Sequence, residues 1–187
     1  FNSYTENSTS YKNKEDYEVF GAFLVKTFLP LKRFDEDGSE YLKPIASFRY
    51  SPNNTKNISN KDLRLSYDNI FALNRIGTNE IVEGGKSLSL GVEYENRNRL
   101  NEKLFSLSLA NSISNRANDN LPSKTKLNEE RSDVVGKLSF SPNKVLNFDY
   151  NFSYDNNLKY SNYDSISASI NYEVFSTSFN FLSSGDV

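Results

Sequence analysis

The chain has 187 residues, a formal net charge of −2, a mean hydropathy of −0.66 and no Cys, His, Met or Trp. Without Cys or His, disulfides, thiol chemistry, zinc sites and His-based catalytic triads are excluded. Interspersed charges of both signs exclude the basic face of a nucleic-acid binder, and no apolar run approaches the roughly 20 residues of a membrane helix. The chain opens at Phe1 with neither an initiator Met nor a signal-like stretch, which reads as a segment of a longer protein.

In chain order, residues 2–16 are rich in Asn, Ser, Lys and Glu and read as a loop end. Residues 17–29 are apolar on both faces, and the longest runs, 20–25 and 28–31, are broken by Lys26 and Pro30. Alternation with a period of two then takes over, the mark of β-strands with two unlike faces. Leu42, Pro44, Ala46, Phe48 and Tyr50 alternate with Lys43, Ile45, Ser47 and Arg49. Two long polar connections follow, 53–61 and 69–86. Leu88, Leu90, Val92 and Tyr94 then alternate with Ser and Glu, and a tight turn at 98–102 leads to Phe105, Leu107 and Leu109, which face away from Ser106, Ser108 and Ala110. After a third long connection, 115–132, Val134, Gly136, Leu138 and Phe140 alternate with Val135, Lys137 and Ser139.

The clearest case comes after the tight turn at 141–144. Leu146, Phe148, Tyr150, Phe152 and Tyr154 fall on one face, and Asn147, Asp149, Asn151, Ser153 and Asp155 on the other. Ile166, Ala168, Ile170, Tyr172 and Val174 then oppose Ser165, Ser167, Ser169 and Asn171; a near-immediate join at Val174–Phe175 leads to Phe175, Thr177, Phe179 and Phe181 opposite Ser176, Ser178 and Asn180. No 3.6 period appears, and β-branched, aromatic, Ser and Asn residues dominate.

Alternation alone fits both a soluble β-sandwich, with its oily face inward, and a membrane barrel, with its oily face to lipid and its polar face to a wet lumen. Long strands, uniform short polar faces, and Tyr94, Tyr154, Tyr160, Tyr163 and Tyr172 near strand ends as interfacial girdles favour the barrel. The expected fold is all-β: an antiparallel transmembrane β-barrel, of which residues 1–187 form one partial segment of middle strands. Glu129 with Glu130, and 35–37, lie in turn-like solvated contexts. Gly84–Gly85 is a turn signal, since no strand–loop–helix unit surrounds it. No catalytic residue, metal ligand or cofactor site emerges, so an enzyme is not expected.

Specific motifs lie on this frame: Leu42-Lys43-Pro44-Ile45-Ala46, Tyr50-Ser51-Pro52-Asn53, Asn60-Lys61-Asp62, Tyr67-Asp68-Asn69-Ile70-Phe71-Ala72-Leu73-Asn74-Arg75 and Val82-Glu83-Gly84-Gly85-Lys86. Then come Asn120-Leu121-Pro122, Leu127 and Arg131-Ser132-Asp133-Val134-Val135-Gly136. In this order they resemble the LPS-assembly protein family, LptD or organic solvent tolerance protein, closest to its alphaproteobacterial forms. Two departures are Asn79-Glu80, where the family has an Asp-Arg pair, and Ile76, where it often has an aromatic.

The resemblance implies an integral protein of the Gram-negative outer membrane, surrounded by lipid, that assembles lipopolysaccharide into the outer leaflet. Its partners would be lipopolysaccharide, an LptE-like lipoprotein plug, and a periplasmic lipopolysaccharide-transport bridge reached through an amino-terminal domain absent here, as are the closing strands. A porin-like channel is the alternative, and a soluble β-sandwich binding module a further one. Candidate lumen-lining residues are Asn147, Asp149, Asn151, Ser153, Ser165, Ser167, Ser169 and Asn171, which would either meet sugars or simply carry water. The connection 69–86 is the candidate inward loop or plug contact, through Asp68, Phe71, Leu73, Asn74, Arg75, Glu83, Gly84 and Gly85. Apolar Phe71 and Leu73 need burial, and Arg75 would pair with Asp68 or Glu83, or with a lipopolysaccharide phosphate.

Overall fold

A computed structural model describes residues 2–4, 17–19, 21–77 and 81–185. Of the predicted loop end, 5–16 lies outside the described residues, as does Asn79-Glu80. Asn2–Tyr4 (β1) is extended and pairs antiparallel with Tyr17–Val19 (β2), so that part of the loop-end expectation is corrected.

The remaining strands are β3 (Phe23–Phe28), β4 (Leu31–Asp35), β5 (Gly38–Ser51), β6 (Gly85–Asn98), β7 (Lys103–Ser114), β8 (Val134–Phe140), β9 (Leu146–Tyr154), β10 (Ser161–Tyr172) and β11 (Phe175–Ser184). They form one antiparallel sheet in the order β11-β10-β9-β8-β7-β6-β5-β3, with β4 also on β5. The sheet is open. Each strand from β5 onward pairs with its sequence neighbour, so the topology is a meander of hairpins. β5 and β6 have 14 residues each and β7 and β10 have 12, against the 9–11 or so that a tilted strand needs to cross a bilayer.

β3 and β4 are two pieces of one edge strand. The register on β5 runs on unchanged from Phe28↔Ile45 to Leu31↔Leu42. The interruption falls at Pro30, which has no N–H to give to a ladder and is tolerated on an edge.

Short turns lie at one end of the sheet (36–37, 99–102, 141–145 and 173–174) and long connections at the other (52–84, 115–133 and 155–160). The two polar loops expected at 53–61 and 69–86 are thus one connection, and Lys86 already belongs to β6. The segment between them is short, and the loop's own contacts hold it out of the ladder.

The two faces are as the alternation predicted. Leu42, Phe48, Tyr50, Leu88, Leu90, Phe140, Ile170 and Phe179 stand exposed on one side. Tyr163 is an exception to the girdle expectation. It has the parity of Ser165 and Ser167 and so stands on the polar face, opposite Ser153, where Arg64 lies 4.6 Å from its ring centre.

The polar face is the covered one. Loop residues Ile58, Leu65, Ile70, Phe71, Ile76, Ile81, Leu121 and Leu127 form a core against Ile45, Ala110 and Val135 of β5, β7 and β8. A soluble sandwich would bury its oily face. Here that face is bare and the loops pack on the other, as in a barrel whose loops fold into the lumen. Each fully buried Leu or Ile contributes about 1.5–3 kcal/mol, enough to hold a long loop against the wall.

Candidate functional site: an inward pad of two loops

The connection 52–84 is fastened to the wall by charge. Arg49 of β5 donates from Nε to the Leu73 carbonyl at 2.8 Å and from Nη2 to the Glu83 carbonyl at 2.6 Å, gripping the loop at two points. Arg75 answers from the loop. Its Nε donates to Glu83 Oε2 at 2.9 Å, its Nη2 to Glu83 Oε1, and its Nη1 to Ser112 Oγ of β7 at 2.5 Å. The Arg75–Glu83 contact is a two-pronged fork of the kind guanidinium and carboxylate make best. All three charged residues are at most 3% exposed. In such a place the pair costs desolvation, and the bonds to Ser112 and two carbonyls offset it. Of the two side chains weighed for Arg75, besides a lipopolysaccharide phosphate, it meets Glu83; Asp68 lies instead 3.9 Å from Lys137 of β8.

Phe71 reaches the wall where β6 has Gly91. A Cβ at that position would stand 2.6 Å from Phe71 Cζ and 2.7 Å from the Leu109 carbonyl, so only glycine leaves room for the ring. Tyr67 packs edge-on to Phe71 at 5.8 Å, and Lys26 lies 5.0 Å from the Phe71 ring centre. Tyr67 donates its hydroxyl to Glu93 at 2.9 Å. Leu73 does not bury with Phe71. It stays exposed while its carbonyl serves Arg49. Asn74 is half-buried beside it. Gly84 passes against Asn53, whose carbonyl oxygen would be 1.9 Å from a Cβ, and Gly85 adopts a φ of +98°. The pair thus makes the sharp entry into β6.

The second loop, 115–133, is laced to the first. Thr55 Oγ1 accepts from Gly84 N at 2.9 Å and from Asn118 Nδ2 at 2.8 Å, and Ile58 N donates to the Asn120 carbonyl at 2.8 Å. Thr125 Oγ1 accepts from Leu65 N at 2.8 Å. Thr125 sits at φ 59°, a costly place for a β-branched residue, held by these bonds. Asp133 closes the loop. It is fully buried, accepts from Ser153 Oγ at 2.9 Å and Asn162 Nδ2 at 2.7 Å, and so joins the loop to β9 and β10. Burial pushes its carboxyl above the ordinary range, against the pull of those two donors.

The eight residues proposed for the lumen all stand on the polar face. Ser153 is taken up by Asp133. Asp149 accepts from Ser139 at 2.5 Å and Asn147 from Ser141 at 3.0 Å. Ser167 donates to Asn180 at 2.7 Å, and Asn171 accepts from Ser176 at 2.6 Å. Asn151 borders a cleft of about 390 Å³ between this wall and loop residues Arg64, Tyr67 and Asp68. Ser165 and Ser169 complete the row across from Asn151 and Asn147. Sequence reasoning missed Arg49, Thr55, Ser112 and Thr125. Arg49 alone carried a signal, as a long charged side chain next to Ser47 and Ser51 on the polar face of β5.

Long antiparallel hairpins, an oily outer face and loops packed on a polar inner face define a wall segment of an outer-membrane β-barrel. The family model for LptD, LPS transport system D, matches residues 2–186, and the chain belongs to that family. It is a transport and assembly family of the outer membrane, acting on lipopolysaccharide, and not a family of enzymes. No curated protein matches the chain.

Proposed function

We propose that this chain forms part of the wall of a translocon that inserts lipopolysaccharide into the outer leaflet, with its strands integral to the outer membrane. In this reading the short-turn end faces the periplasm and the long loops face outside, as barrels of this kind are built. The two loops fold back as a pad that narrows the lumen over β5–β8 and offers a seat to a lipoprotein plug. The sugars pass beside it, along the short hydroxyl and amide groups Asn147, Asp149, Asn151, Ser165, Ser167, Ser169 and Asn171, while Ser153, expected in that row, is buried against Asp133 and takes no part. Such groups exchange hydrogen bonds with water and sugar at nearly equal energy, so nothing holds the cargo fast.

The observation that carries this reading is the division of one face into a padded part and a bare hydroxyl-rich part. A photo-crosslinking residue placed in turn at Asn151, Ser165, Ser169 and Asn171 of the full-length protein tests it. Adducts with lipopolysaccharide are expected there and not at Ser47 or Ser89 beneath the pad. Equal labelling at both sets, or none at either, would reject the sugar path. For the pad, Arg75→Ala is expected to lower the level of assembled barrel, or of barrel holding its plug, before it slows transport by what remains. Normal complex levels together with normal outer-membrane permeability would reject that role.

A further inference from the structure

The ion cluster under the pad is unbalanced. Arg49 and Arg75 bring two guanidinium charges to a place where Glu83 brings one carboxylate. Guanidinium keeps its proton at any pH the protein meets, so among the described residues the cluster carries one excess positive charge. Arg75 occupies both oxygens of Glu83. Arg49 approaches that carboxylate only through Nη1 at 4.0 Å, beyond hydrogen-bond distance, and this buried Nη1 has no hydrogen-bond partner among the described residues.

A second such group stands beside it. Ser87 lies directly across the β5–β6 pair from Arg49. It is 4% exposed and its Oγ is also without a partner among the described residues. Residues paired across two strands project on the same side with their Cβ atoms about 5 Å apart. The two groups therefore belong to side chains that leave the same face of the sheet side by side, and both can donate. Buried groups of this kind are rare singly, and here two coincide with an unmatched charge. Water would satisfy the donors and leave the charge. An anion satisfies both.

We propose that the pad encloses one small inorganic anion of halide size, held between Arg49 Nη1 and Ser87 Oγ, as the counter-charge of the Arg49–Arg75–Glu83 cluster. The depth of the site sets the size. With these four residues no more than 4% exposed, a phosphate ester or a partner's side chain has no way in. The ion is taken up as the loop folds, so the loop's stability is linked to anion concentration.

The full-length barrel crystallised in bromide tests this directly. An anomalous peak within about 3.5 Å of both Arg49 Nη1 and Ser87 Oγ is expected; water-like density or none there overturns the proposal. In solution, replacing gluconate by bromide at equal ionic strength is expected to raise the thermal midpoint by about 2 °C or more. Ser87→Ala removes one hydroxyl, and should cut that response several-fold, while Ser165→Ala leaves it intact. An equal response in Ser87→Ala and the parent overturns the site. Glu80, outside the described residues, is another carboxylate of the same loop. A bromide peak that appears only in Glu80→Gln would assign the counter-charge to Glu80 and reject the free ion.

Discussion

The inner face of the sheet has two halves built on different rules. Over β5–β8 it is padded: Ile45, Ala110 and Val135 take up an oily loop core, and Arg49 and Ser112 hold the loop by charge. Over β9–β11 it is a lattice of Ser, Asn and Asp that bond mostly to one another. The first half is specific, because a buried charge or a ring in a slot admits one partner. The second is permissive, because hydroxyls and amides in water accept many. A passage for a large polar cargo needs the second kind of surface, and a fixed constriction needs the first.

The contrast breaks most sharply at Glu83. Glu83→Ala strips the buried Arg75 guanidinium of its carboxylate partner, and is expected to cost about 3–5 kcal/mol. The readout is loss of protease protection of residues 52–84 and of heat-modifiable mobility of the barrel. Leu65→Ala empties a fully packed site in the pad core, at about 2–5 kcal/mol, measured by the same protection. Gly91→Ala drives a methyl into Phe71 and is expected to cost about 1–3 kcal/mol. Phe71→Leu on that background should recover part of the loss, whereas additive losses would show that Gly91 and Phe71 are not coupled. On the bare half, Ser167→Ala should change stability by no more than about 0.5 kcal/mol; a loss as large as that of Leu65→Ala would erase the distinction between the halves.

Asp133 sharpens the comparison through pH. Its carboxyl is raised in the fold, so the folded state holds the proton more tightly than the unfolded chain. Stability from this group is therefore greatest in acid and declines as pH climbs from about 3.9 through the raised value. Hydrogen-exchange protection of 115–133, taken relative to the intrinsic rate at each pH, should fall across that window, and Asp133→Asn should flatten the dependence. A profile rising with pH in the parent, or unchanged in the variant, would reverse the sign.

Much of this was legible in the sequence. Strand faces follow from alternation, because a side chain in a strand has only two directions to point. The exceptions carried as much information as the rule. Ile45, Val135 and Ala110 are apolar on the polar face, and they mark where the pad lands. Phe71 and Arg75 with Glu83 were identifiable as an oily residue and an ion pair in a polar loop. What the pattern hid depends on the third dimension. Joining 53–61 to 69–86 rests on bonds to a loop 60 and 63 residues away. The register shift between Ser161 and Tyr163 breaks the β9–β10 ladder where a strict period of two would run on. Leu73 stayed outside because its backbone, not its side chain, was the part in use.

The lacing of the two loops also sets an order of events during folding. Each hairpin from β5 onward needs only its neighbour, so the wall can grow strand by strand with local closures. Thr55 meets Asn118 across 63 residues and Asn120 across 65, contacts that have no geometry until β6 and β7 stand side by side. Closing so long a span is slow, and its reward comes only at the end. The pad is therefore a late act that reports on a finished wall. A cell that inspects the pad before releasing the barrel inspects, in one place, whether β5 through β8 were laid in register.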